Sequence, residues 1–236
     1  MGVFKLKQFS VCDDNATMKV GTDGVLLGAW ADVRDAKSIL DIGTGSGIIA
    51  LVMAQRSRQD AKIDAVELLE GDAGQALENV LSSPWPDKIS VVNTSIQKFD
   101  PAGKYDLIVC NPPFFSKSLL PPGQNRTSAR HDLHLSHDDL IKSAGRLLSP
   151  SGKLCIILPP GEGDLFIRNA ASEKIFIQLL TRFFTRAGKP QERSIMQFGF
   201  ASVPLVENHL TLYRHDDKWT TEYKKLTEAF YLDKTA

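Results

Sequence analysis

The chain has 236 residues, of which 42% are hydrophobic and 24% charged, a make-up that suits one folded unit with a substantial core and excludes extended disorder. Its 28 basic residues balance 28 acidic ones, so no global field draws it toward polyanions, and no apolar run approaches membrane-spanning length. Cys12, Cys110 and Cys155 lie far apart without metal-ligand spacing, which points to a reducing compartment and a cytoplasmic protein.

In chain order, residues 4–9 predict a short strand. Residues 24–30 have the apolar density of a short buried helix, with Thr22 or Asp23 as its cap. Gly21 and Gly24 suggest backbone that a ligand can approach closely, although capping explains this stretch equally well. Lys5, Lys7 and Lys19 form a local basic cluster, as do Arg126 with Arg130, and Arg182 and Arg186 with Lys189 and Arg193. A solvated face is the simpler account of each cluster, a phosphate track the alternative.

The stretch from Ser38 through Asp41-Ile-Gly43-Thr-Gly45-Ser-Gly47 to Ala54 predicts a strand, a glycine-rich turn and an apolar helix. Glycines let the main chain pass close to a ligand, and the helix start offers unpaired N–H groups, so a nucleotide or a carboxylate could sit there. Spacing narrows the choice. Counting from Gly43, the last position of the dinucleotide fingerprint falls on Ile48, and the Gly-Lys-Ser/Thr of a Walker loop is absent. An acidic residue followed by G-x-G-x-G remains. The next strand, residues 62–67, ends in Glu67, a carboxylate suited to the two hydroxyls of a ribose. Residues 72–81 predict a helix stopped by Ser82-Ser-Pro-Trp-Pro, and residues 88–96 a third strand. Ser95 and Ile96 at its end could hydrogen-bond and cover an adenine.

Strand four, Asp106-Leu-Ile-Val-Cys110, runs straight into Asn111-Pro112-Pro113-Phe114-Phe115. An apolar run that stops at an amide and two prolines predicts a buried parallel strand with a stiff loop at its carboxyl end, the edge where α/β sheets bind ligands. The Pro112 carbonyl and the Asn111 side-chain oxygen are two acceptors close together. They suit a planar conjugated NH2, whose nitrogen becomes nucleophilic when both protons are held. Phe114 offers a flat face for a flipped-out base, a contact worth roughly 1–3 kcal/mol. The loop therefore predicts an amine-methylation site, set against the plainer possibility of a turn tucked onto the core.

Residues 116–132 predict a long loop beside this site. His131, His134 and His137 recur at a regular interval, but no Cys or carboxylate set completes a zinc site, and His137-Asp138-Asp139 looks like the start of a helix. Residues 140–148 predict an amphipathic helix with Ser149-Pro-Ser-Gly as its stop, residues 153–159 a fifth strand and residues 165–174 a helix. Residues 176–186, 193–201 and 209–214 predict strands, the last two antiparallel, and residues 220–232 a closing helix.

Asp41-Ile-Gly43-Thr-Gly45-Ser-Gly47, Glu67 and Asn111-Pro-Pro-Phe114 together resemble the class I methyltransferases that modify exocyclic or amide nitrogens. With Met18-Lys-Val-Gly-Thr-Asp-Gly-Val-Leu-Leu-Gly-Ala-Trp30, Arg126 to Arg130 and Thr227-Glu-Ala-Phe-Tyr-Leu232 added, the chain is similar over nearly its whole length to the bacterial tRNA1(Val) adenine N6-methyltransferases. The resemblance implies an α/β Rossmann-like domain with a seven-stranded, mostly parallel sheet and an antiparallel strand near the carboxyl terminus. It implies one domain over residues 1–236, with residues 1–30 as an extension on the cofactor site. The implied cofactor is S-adenosyl-L-methionine and the implied partner the anticodon region of tRNA1(Val), with no membrane and no obligate protein partner. Asp41, Gly43, Gly45, Gly47, Glu67 and Asn111 become cofactor contacts, Thr22, Asp23 and Gly24 flank the methionine end, and Ser95 and Ile96 lie at the adenine. Asn111 and Pro112 orient the target amine and Phe114 stacks on the base. Members commonly carry Asp at the position of Ser95 and Tyr at that of Phe114. The same loop would also serve guanine N2 in ribosomal RNA or a release-factor glutamine, and a non-catalytic binding module is a rival of another class. No dedicated general base stands out; His131 is near in sequence, and a surface histidine is its simpler role.

Overall fold

A computed structural model describes residues 2–113 and 135–232. The chain opens with a small antiparallel hairpin, β1 (Val3–Lys5) and β2 (Ser10–Cys12). This corrects the strand expected over residues 4–9. Leu6 and Phe9 are buried in the connecting turn, closed by the Leu6 N–H donating to the Phe9 carbonyl, so the apolar density there anchors a turn.

After α1 (Thr22–Trp30) the main sheet begins: β3 (Ser38–Ile42), α2 (Ile48–Arg56), β4 (Lys62–Glu67), α3 (Glu70–Leu81), β5 (Ile89–Asn93) and β6 (Tyr105–Cys110). It continues through α4 (His137–Leu147), β7 (Leu148–Leu158), α5 (Pro160–Ser172), β8 (Phe176–Arg186), β9 (Gln191–Gly199), β10 (Val206–Tyr213) and α6 (Thr221–Thr227). The strand order is β10-β8-β9-β7-β6-β3-β4-β5. From β5 to β7 all pairs are parallel, and β9 lies antiparallel between β7 and β8. The implied seven strands with one antiparallel member are β3 to β9. β10 makes the sheet eight-stranded: it pairs in parallel with β8, so it runs opposite to β9 as expected without touching it.

The apolar strands read as continuous runs because both faces are covered. Leu107 and Val109 of β6 point into one core with Ile39, α1, α2, α3 and α6, while Ile108 and Cys110 join Leu40, Ile42, α4 and α5 in the other. Several boundaries shift for local reasons. Ser136 caps α4, accepting from the Asp139 N–H at 3.0 Å, so the helix starts at His137. Leu148 already pairs with Tyr105, which draws Ser149-Pro-Ser-Gly into β7 directly after the helix. Strand β5 ends at Asn93, because the Ser95 carbonyl accepts from the Lys98 and Phe99 N–H groups and turns the chain. The closing helix stops at Thr227, and the Phe230 carbonyl instead accepts from Lys7 N–H beside the hairpin.

Candidate active site

The chain builds β3, β4 and β5 outward, then returns to place β6 on the other side of β3. Such a reversal opens a crevice at the carboxyl ends of the strands. Ile42 is in register with Cys110, so Gly43 and Asn111 leave the sheet side by side.

Gly43, Gly45 and Gly47 have φ of 68°, 55° and 84°, the left-handed region that side chains resist. A Cβ built on Gly43 or Gly45 would meet no atom of the described residues within 4 Å, whereas one on Gly47 would lie 3.5 Å from Ala76 of α3. The first two border open space; the third packs the turn on a helix. Glu67, 7% exposed, holds this turn: its Oε2 accepts from the Gly45 N–H at 2.9 Å and its Oε1 from the Leu69 N–H at 3.0 Å. Asp41 is fully buried, and its Oδ2 accepts from the Thr44 hydroxyl at 2.6 Å and the Ala50 N–H at 3.1 Å. Its Oδ1 has no partner among the described residues. Burial pushes the Asp41 carboxyl up to about 7 against the lowering pull of those two bonds, with the Glu67 charge adding to the rise.

At the tip of β6, Asn111 Oδ1 is buried with no hydrogen-bond partner among the described residues, and Pro112 is buried beside it. An amide oxygen left in this way costs free energy unless something occupies it. Phe114, Arg126, Arg130, His131 and His134 lie outside the described residues. His137 begins α4, its Nε2 3.7 Å from Glu162 of α5 and its ring packed edge-on to Phe166. Among the described residues no group of three His, Cys, Asp or Glu is placed to hold a metal ion.

The start of α1 packs against the start of α2. Gly24 faces α2, where a Cβ would come within 3.1 Å of Ile48 Cγ2, so helix packing accounts for this glycine. Neither Thr22 nor Asp23 caps the helix: the cap is Gly21, without a side-chain bond. Thr22 is exposed, and Asp23 instead accepts from Arg193 Nε of β9 at 2.7 Å. Ser95 is half-buried and Ile96 buried in the turn after β5. That turn is gripped by Arg146 of α4, whose Nη2 and Nη1 donate to the Ile96 and Phe99 carbonyls at 2.8 Å each.

Arg146 was not legible from spacing, nor was a seam on α3. Asp72, Gln75 and Asn79, all buried, bond residues 12–17 of the amino-terminal segment. The signal was present as three polar residues on one face of a helix whose other buried positions are Ala and Val. The late basic cluster is largely neutralised: Arg182 pairs with Glu207, Arg186 with Asp217 and Arg193 with Asp23.

Residues 19–161 match the family model described as "Methyltransferase small domain". The protein named tRNA1(Val) (adenine(37)-N6)-methyltransferase from Bacteroides thetaiotaomicron is 43% identical over 230 residues, 97% of each chain. The protein of that name from Trichodesmium erythraeum is 45% identical over 232 residues, again 97% of each. Among solved structures, a predicted O-methyltransferase, Atu636 from Agrobacterium tumefaciens, superposes with a TM-score of 0.69 at 18% identity, covering 88% of this chain and 96% of its own. That likeness bears on the fold alone.

Proposed function

The chain belongs to the tRNA1(Val) (adenine(37)-N6)-methyltransferase family, and from that premise we propose that it transfers a methyl group from S-adenosylmethionine to the exocyclic N6 of adenine 37 in tRNA1(Val). The observation that carries the reading is Asn111 Oδ1, buried and without a partner among the described residues at the tip of β6 next to Gly43.

The residues present fit the cofactor. Among the described residues space lies open over Gly43 and Gly45, the turn leads into the amino end of α2, and Asp41 Oδ1 has no partner. Asp41, Gly43, Gly45, Gly47, Glu67 and Asn111 would hold it, with Thr22, Asp23 and Gly24 flanking the methionine end and Ser95 and Ile96 at the adenine. Glu67 Oε2 spends one lone pair on the Gly45 N–H and Oε1 one on the Leu69 N–H, and each keeps another for a ribose hydroxyl. When bound, S-adenosylmethionine supplies an electrophilic methyl group on a sulfonium sulfur.

The chain's own contribution is position and polarity. Asn111 Oδ1 and the Pro112 carbonyl accept the two N6 protons of a flipped-out adenine. As the nitrogen lone pair withdraws from the ring, those protons become more acidic and both bonds strengthen, so the loop favours the transition state over the ground state. Pro112 and Pro113 fix the backbone that carries both acceptors, and Phe114 stacks on the base. Residues 1–30 serve as an extension over the cofactor site of a single domain. The partner is the anticodon region of the tRNA and the location the cytoplasm; among the described residues no helix is long and apolar enough to cross a membrane.

The test is to incubate the protein with methyl-labelled S-adenosylmethionine and, separately, tRNA, ribosomal RNA and a release factor, then digest and identify the labelled species. N6-methyladenosine in tRNA is expected. Label only in guanosine or protein would overturn the substrate, and no label at all would overturn the enzymatic reading.

A further inference from the structure

Asn79 of α3 is 4% exposed and every polar atom of its side chain is used. Its Oδ1 accepts from the Cys12 N–H at 2.9 Å, and its Nδ2 donates to the Cys12 carbonyl at 2.7 Å and to the Ser46 carbonyl at 2.8 Å. Two of these bonds hold the amino-terminal segment. The third holds the last peptide of the glycine turn, whose next residue, Gly47, lies against Ala76 one helical turn away. Further along the same face, Gln75 Oε1 accepts from Asn15 N–H at 3.2 Å and Asp72 Oδ1 from the Thr17 N–H at 2.9 Å. Both bonds go to the segment, and the remaining Gln75 contact, Nε2 to Glu78 Oε2 at 3.2 Å, stays on α3. One side chain thus joins a strap, residues 12–17, to the turn proposed to carry the cofactor, and the strap runs on into α1.

We propose that Asn79 is a positioning residue that couples the cofactor turn to the amino-terminal strap, so that seating either one steadies the other. The inference rests on the cofactor assignment above. The chemistry is particular to an amide. Asp would present a carboxylate to two carbonyl oxygens, and Ala would leave both carbonyls and the Cys12 N–H buried without a partner. Because coupling between sites is reciprocal, a ligand that favours the held form of the turn must also hold the strap.

Cys12 reports on the strap directly: it is half-buried, while Cys110 and Cys155 are buried. The experiment measures S-adenosylhomocysteine affinity by calorimetry and the rate of Cys12 alkylation by iodoacetamide with and without that ligand. In the unaltered protein the ligand should slow alkylation. Asn79→Ala should weaken the ligand roughly tenfold and lose the slowing. Gln75→Ala, which removes a strap bond without touching the turn, should speed alkylation yet keep affinity within about twofold and keep the slowing. Asn79→Asp, equal in size, should reproduce the alanine pattern if Asn79→Ala does not fold. Slowing retained in the folded Asn79 variant, unchanged affinity there, or an equal loss of affinity in Gln75→Ala would each overturn the coupling. Failure of the unaltered protein to bind the ligand would overturn the cofactor assignment itself, and the coupling with it.

Discussion

At the β3–β4 end of the strand edge, the polar groups are mostly occupied within the protein: Gly45 N–H by Glu67, Thr44 and Ala50 by Asp41, the Ser46 carbonyl by Asn79. At the tip of β6, a few ångströms along the same edge by register, Asn111 Oδ1 has no partner among the described residues. The first region is built to keep one shape, the preformed backbone that its proposed cofactor role needs. On the proposed function, the second keeps an acceptor in reserve for a group that arrives with the substrate, so the free energy of pairing would appear during the reaction.

The comparison breaks most directly at Asn111. Asn111→Ala should lower methyl transfer roughly 10²–10³-fold, the scale seen for one preorganised hydrogen-bonding group, while cofactor affinity measured by calorimetry, to which Asn111 is one of six proposed contacts, falls far less. A comparable fall in both would merge the two regions into one. Gly43→Ala sharpens the contrast from the other side. Its methyl group enters the open space over the turn and should weaken the cofactor by roughly tenfold or more. Gly28→Ala is the control: its Cβ would lie 2.7 Å from Val52 Cγ1, which should cost about 1–3 kcal/mol of stability by overpacking without a matching loss of affinity. If both variants lose affinity in proportion to their melting temperatures, the space over Gly43 is not a binding surface.

Asp41 gives a smaller, pH-dependent effect. Burial lifts its carboxyl from 3.8 to about 7, so between those values the native state keeps a proton that the unfolded chain has released. Stability should therefore fall as pH rises from about 4 to about 7, and Asp41→Asn, which cannot ionise, should flatten that part of the melting-temperature profile. Parallel profiles would mean that Asp41 does not titrate in this window. The smallest effect belongs to Arg193→Ala. Its ion pair with Asp23 is partly exposed, so thermal unfolding should register a loss below about 1 kcal/mol; a larger loss would make the start of α1 part of the rigid region.

Much of this was legible in the chain. Continuous apolar runs at residues 39–42 and 107–110 announced strands covered on both faces, and Gly43, Gly45, Glu67 and Asn111 announced the edge where they meet. The misreadings share one cause, contacts between residues distant in sequence. Gly24 also keeps α1 against α2, where a Cβ would come within 3.1 Å of Ile48 Cγ2, a packing role no local pattern announces. Leu6 and Phe9 looked like strand until the hairpin closed around them. Arg146 lies far along the chain from the turn it grips, and no local pattern announces that grip.

The place of β9 has a consequence for how the molecule is made. Both neighbours of β8 in the sheet, β9 and β10, follow it in the chain, so on emerging from the ribosome this strand finds β7 already present but not its partner. Its hydrogen-bonding edges stay open until β9 slides between the two, a window in which a nascent polypeptide is exposed to pairing with the wrong strand.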